Sequence, residues 1–140
     1  MKGIRTLIKL RKKALDEQAR QKALLTERIM LCEQRIHELE QTLKSEEAMA
    51  ASSPELSFLF TSYAEHNHTQ QTQFRQIITQ AETQIHRIET QMQHLFGELK
   101  QYEIALERYK TQAANDAKAQ ETKQLDDIAL RLHIRKQEGD

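Results

Sequence analysis

The chain has 140 residues and a mass of 16.4 kDa, with 21 basic residues against 21 acidic ones and a formal net charge of +0. Hydrophobic residues reach only 38% and charged ones 30%, and there are three glycines, one proline, no tryptophan and no valine. This excludes β-sandwiches and barrels, which need β-branched strands and glycine-rich turns, and it excludes nucleotide-binding α/β folds, because Gly3, Gly97 and Gly139 lie too far apart to shape a phosphate loop. The expected class is all-α: a single coiled-coil domain over residues 1–140, folded as a long antiparallel two-helix hairpin with an overhanging C-terminal helix.

The first 13 residues carry Lys2, Arg5, Lys9, Arg11, Lys12 and Lys13 and no acid. They contain no apolar stretch of signal-peptide type, and residue 2 is lysine, which does not suit myristoylation. A single cysteine, Cys32, forms no internal disulfide, and no run approaches the roughly 18 apolar residues of a membrane span, so the expected compartment is the cytoplasm. Together with Ile4, Leu7, Ile8 and Leu10, the six cations could lie on an anionic membrane surface or bind nucleic acid by counterion release. The apolar set is short and lacks tryptophan, and the stretch has no aromatic stacking platform. The favoured reading is therefore a solvated or partner-facing basic end, with no nucleic acid and no membrane insertion.

Helix 1 is expected over about residues 4–50. Its seam runs Leu25, Ile29, Cys32, Ile36, Leu39, Leu43 at alternating steps of four and three. Extended backwards the seam reads Lys22, Gln18, Leu15, Arg11, Ile8, Ile4. The polar entries either fix register at a cost in stability, or snorkel from a loosely packed end. Cys32, on the seam, reads as a small core residue rather than a reactive thiol.

The only punctuation in the chain is Ala48-Met49-Ala50-Ala51-Ser52-Ser53-Pro54-Glu55. Pro54 suits a first helical position, Ser53 can cap, and residues before a proline leave helical geometry. The turn is placed within residues 51–67. Its narrow version centres on Ser53, and facing residue numbers then sum to about 106. Its wide version adds a polar bend at His66-Asn67-His68, and they then sum to about 118. The wide version is preferred, because it lets the second seam meet helix 1 along its whole length. Helix 2 then covers about residues 68–136.

That second seam is the strongest pattern in the sequence: Phe74, Ile78, Ala81, Ile85, Ile88, Met92, Leu95, Leu99, Tyr102, Leu106, Tyr109 and Ala113. It sustains the heptad repeat for more than five turns of the pattern, beyond what a chance amphipathic helix supports. Past it, roughly the last 25 residues have no partner within the chain. They carry their own stripe, Leu125, Ile128, Ala129 and Leu132, flanked by Asp126, Asp127, Arg131, Arg135 and Lys136. The stripe either dimerises or frays, or it docks on another protein.

Catalytic chemistry has no candidate. The carboxylates alternate with lysine and arginine at helical spacing, as surface ion pairs do. His37, His66, His68, His86, His94 and His133 never make the His-x3-His spacing that sets two ligands on one helical face. The expectation is no enzyme, no metal and no cofactor.

Three stretches resemble the FliJ family, the small coiled-coil component of the flagellar type III protein-export apparatus. They are Leu7-Ile8-Lys9-Leu10-Arg11-Lys12-Lys13 with the helix that follows, Gln71-Thr72-Gln73-Phe74 leading into the long seam, and Lys123-Gln124-Leu125-Asp126-Asp127-Ile128-Ala129-Leu130-Arg131 with Arg135-Lys136. The last is the most specific. The chain departs from the family in lacking a helix-2 tryptophan and in its histidine-rich bend, and injectisome stalk proteins share the architecture. The resemblance implies a stalk similar to the γ subunit of rotary ATPases, bound to the hexameric export ATPase and promoting its assembly and activity. It also implies contacts with the export-gate membrane protein and with export chaperones, at the cytoplasmic face of the inner membrane. Carried over, Lys9, Arg11, Lys12, Lys13, Leu125, Asp127, Ile128 and Arg131 would contact the ATPase. Leu39, Leu43, Phe74, Ile78 and Ala81 would contact the gate, although as seam residues they also have a packing duty.

Overall fold

The computed structural model describes residues 2–139 and consists of two helices, α1 (Lys2–Ala50) and α2 (Pro54–Glu138), packed against each other as an all-α helical hairpin. Contacts divide the chain into two units. One joins the N-terminal stretch up to Lys12 with α2 from Phe96 onward, and the other covers Lys13–Leu95.

In the Lys13–Leu95 unit the helices meet through the expected seams. On α1, Leu15, Gln18, Lys22, Leu25, Ile29, Ile36, Leu39 and Leu43 are partly covered and Cys32 is buried. On α2, Ala81 and Ile88 are buried, and Phe74, Ile78, Ile85, Met92 and Leu95 are partly covered. Each helix thus offers one narrow stripe, and burial of these stripes is what holds a two-helix structure together. Gln18 is a weak point: its Oε1 is buried with no hydrogen-bond partner.

The turn is the narrow version, contrary to the preferred expectation. Only Ala51, Ser52 and Ser53 separate the helices, and α2 starts at Pro54 rather than near residue 68. Pro54 loses nothing at a first helical position, where its missing N–H has no intrahelical acceptor. The Ser53 carbonyl accepts the first bond of α2 from Ser57 N–H at 3.0 Å, and the Ser57 hydroxyl donates across the turn to the Ala50 carbonyl at 2.8 Å. The bend expected at His66-Asn67-His68 is continuous helix. No glycine or proline breaks it, and Asn67 falls on the seam, where it is 2% exposed.

Asn67 heads a polar network inside the core. Its Nδ2 donates to the Leu39 carbonyl at 2.9 Å, and its Oδ1 accepts from Gln71 Nε2 at 2.6 Å. Gln71, also buried, accepts from Arg75 at 3.0 Å, and Arg75 reaches Glu40 on α1 at 3.6 Å. Asn67 and Leu39 have numbers that add to 106, the narrow-turn value. Lys22 and Glu89, 3.2 Å apart, add to 111. The excess reflects long side chains that lean toward the N-terminus of each helix and so meet a little past backbone register.

In the other unit, Ile4, Leu7, Ile8 and Arg11 of α1 face Leu99, Tyr102 and Leu106 of α2 as partly or fully covered positions. The Arg11 guanidinium bonds Glu98 and lies 6.0 Å from the centre of the Tyr102 ring. The hydrogen bond to Glu98 is the main reason its pKa stands above the ordinary arginine value. From Glu107 to Gly139 every residue is exposed. The last two seam positions, Tyr109 and Ala113, are therefore exposed, Tyr109 by 49%. The tight turn uses up α1 before the seam ends, and the overhang is longer than the 25 or so residues expected.

Candidate interaction surfaces

Two surfaces present chemistry that the fold does not consume. The first belongs to the unit that carries the overhang. Leu125, Ile128 and Leu132 are 60%, 52% and 59% exposed on a continuous helix. Asp127 and Arg131 are exposed beside them. Leu130 and Ile134 are also exposed, and at 100° per residue they fall nearly opposite the first stripe. The overhang is thus apolar on two sides, a feature the single stripe read from the sequence misses.

Near the start of α1, Lys2, Arg5, Lys9 and Lys12 all point away from the seam and are exposed. Lys13, next along the helix, is exposed as well. Arg11 differs from its basic neighbours, since it is committed to Glu98 and Tyr102. These cations sit at the positive end of the helix dipole, and the first turn holds no acid to offset them. Arg11 stands level with Glu98, so Leu125 lies 27 residues further along α2, about 40 Å at 1.5 Å per residue. Lys9, Arg11 and Lys12 on the one hand, and Leu125, Asp127, Ile128 and Arg131 on the other, therefore form two separate patches rather than one site.

Leu39, Leu43, Phe74, Ile78 and Ala81 fall in the Lys13–Leu95 unit. Ala81 is 3% exposed, and the other four are partly covered by packing. Phe74 also takes the Arg35 guanidinium 5.9 Å from its ring centre. What these residues can offer a partner is an edge, since their inner faces are occupied.

The second surface lies at the turn and was not anticipated. Met49, Leu56, Phe58 and Leu59 are all exposed, Phe58 by 83%. The signal was present in Leu56-Ser57-Phe58-Leu59-Phe60, five residues with four large apolar side chains and no partner seam.

The family model for the flagellar FliJ protein matches residues 1–138. The chain belongs to the FliJ family. FliJ-family proteins are non-catalytic components of flagellar protein export, and this chain is accordingly a component of that apparatus. Comparison with curated proteins and with solved structures gives no match. No helix among the described residues is long and apolar enough to cross a membrane. The match spans both helices and the basic opening. It assigns no residue of either surface to a partner.

Proposed function

We propose that this FliJ-family chain is a central-stalk-like coiled coil that binds the hexameric export ATPase and promotes its assembly and activity. Through the edge formed by Leu39, Leu43, Phe74 and Ile78, packed over the buried Ala81, it links the ATPase to the export-gate membrane protein, and it escorts export chaperones at the cytoplasmic face of the inner membrane. The observation that carries this reading is the overhang over residues 107–138, helical yet exposed at every residue and, over residues 125–134, apolar on two sides. A surface helix resting on a flat partner needs one apolar stripe, whereas a helix enclosed by its partner profits from two. A ring of subunits around a pore is an enclosing partner. The basic face of Lys9, Lys12 and Lys13 supplies orientation, since exposed charge speeds and aligns docking more than it tightens it.

The test is steady-state ATP hydrolysis by the cognate export ATPase over a concentration series of this chain. The expected result is saturable stimulation that disappears when residues 124–140 are removed. A folded chain that leaves hydrolysis unchanged refutes the stalk reading.

A further inference from the structure

We propose that the turn of the hairpin is a docking surface for a basic amphipathic helix of another protein. This surface is separate from the overhang and stands or falls independently of ATPase binding. Its apolar part is a groove of about 280 Å³ between the end of α1 and the start of α2, lined by Glu46, Met49, Ala50, Leu56, Leu59 and Phe60. That volume falls just short of the roughly 300–1,000 Å³ of small-molecule sites, so the groove suits one or two inserted side chains rather than a free ligand. Leu59, which lines the groove, is 63% exposed, and Phe58 next to it in sequence is exposed on the outer side of α2, so the start of α2 is apolar on more than its groove face.

The charge around the groove defines the partner. Between Lys44 and Arg75 there is no lysine or arginine, but there are Glu46, Glu47, Glu55 and Glu65, all exposed. Glu46 and Glu47 lie near the C-terminus of α1, where the helix dipole disfavours carboxylates, and no basic residue occupies the last turn. Local helix stability therefore does not explain them, whereas attraction of a cationic partner does. Both walls of the groove are helical, with no strand edge to extend, so the occupant engages through side chains, as a helix laid in a groove does.

Other occupants fit less well. Anionic lipid headgroups would be repelled by four carboxylates. The basic segment of a second copy has only Leu10 fully available, because Ile4, Leu7 and Ile8 are already partly covered by α2.

The probe is a fluorescein-labelled, idealised Leu/Lys amphipathic helix of about 18 residues, or five turns. The full chain is titrated into it and fluorescence anisotropy is recorded. Comparators are a Leu/Glu peptide of the same pattern and a scrambled Leu/Lys peptide without an apolar face. The expected result is saturable binding of the Leu/Lys helix, with both comparators weaker by about tenfold or more. A similar loss is expected in F58S/L59S and, independently of packing, in E46Q/E47Q/E55Q, while L125S/I128S binds as the parent does. Because Phe58 and Leu59 are exposed, circular dichroism of their variant should match the parent. Four results each overturn the proposal: no binding by the full chain, equal binding by F58S/L59S, loss in L125S/I128S alone, or self-association that F58S/L59S abolishes.

Discussion

Asn67 shows how a buried amide can set register. A leucine there would bury more apolar surface, yet the amide ties α2 to the Leu39 carbonyl of α1 and to Gln71 in a fixed alignment. A single polar seam residue specifies register at a cost in stability. Asn67→Leu combined with Gln71→Leu, which leaves no buried amide donor without an acceptor, is accordingly expected to hold or raise the melting temperature while loosening the alignment. Cysteine pairs introduced at positions summing to 106 and 113, in a Cys32→Ser background, would then cross-link comparably instead of favouring the first. Gln18 is the contrasting case, since its Oε1 is buried with nothing to accept from. Gln18→Leu removes an unsatisfied acceptor and completes the seam, so stability should rise by about 1–2 kcal/mol in denaturant unfolding. An unchanged midpoint would mean that Gln18 does not occupy the core. The sequence made the apolar seam legible because side-chain class alone identifies it. It hid Asn67 and Gln71 because amides look alike in a loop and in a satisfied core network, and only the partner across the interface separates the two.

At the scale of elements, the two helices differ in what makes them helical. α2 begins with Pro54 and Glu55 and ends with Arg135 and Lys136, charges that agree with its dipole. α1 has neither an acid in its first turn nor a base in its last, so packing against α2 must supply its stability. Ile88→Asp, which places a carboxylate at a buried seam position, should therefore melt α1 along with the Lys13–Leu95 part of α2. A variant with the parent's ellipticity and melting temperature would remove Ile88 from the core. The overhang should behave in the opposite way. With every described residue beyond Leu106 exposed, its amides are expected to exchange with solvent orders of magnitude faster than those around Ala81 and Leu99. The preference for a wide turn failed for a related reason. It assumed that an apolar seam must end where its intramolecular partner ends, whereas Tyr109 and Ala113 continue the seam into a region that α1 does not reach.

For the molecule as a whole, zero net charge conceals segregation: cations without acids over residues 1–13, and acids without lysine or arginine over residues 45–74. On the stalk reading, the two patches in the overhang-bearing unit should fail in kinetically different ways. Exposed lysines act on the approach, so Lys9→Glu with Lys12→Glu should slow association with the ATPase by about tenfold at low salt, and the deficit should shrink at ionic strengths where the Debye length falls well below 10 Å. Buried apolar contacts act on residence, so Leu125→Asp or Ile128→Asp should leave the association rate nearly unchanged and raise the dissociation rate. Helicity should survive both sets, because every altered side chain is exposed. Surface plasmon resonance at two salt concentrations separates these rates. If the lysine variant instead dissociated faster at both salt concentrations, the basic face would be part of the seated contact. The pore reading would then have to place α1, as well as the overhang, against the ring.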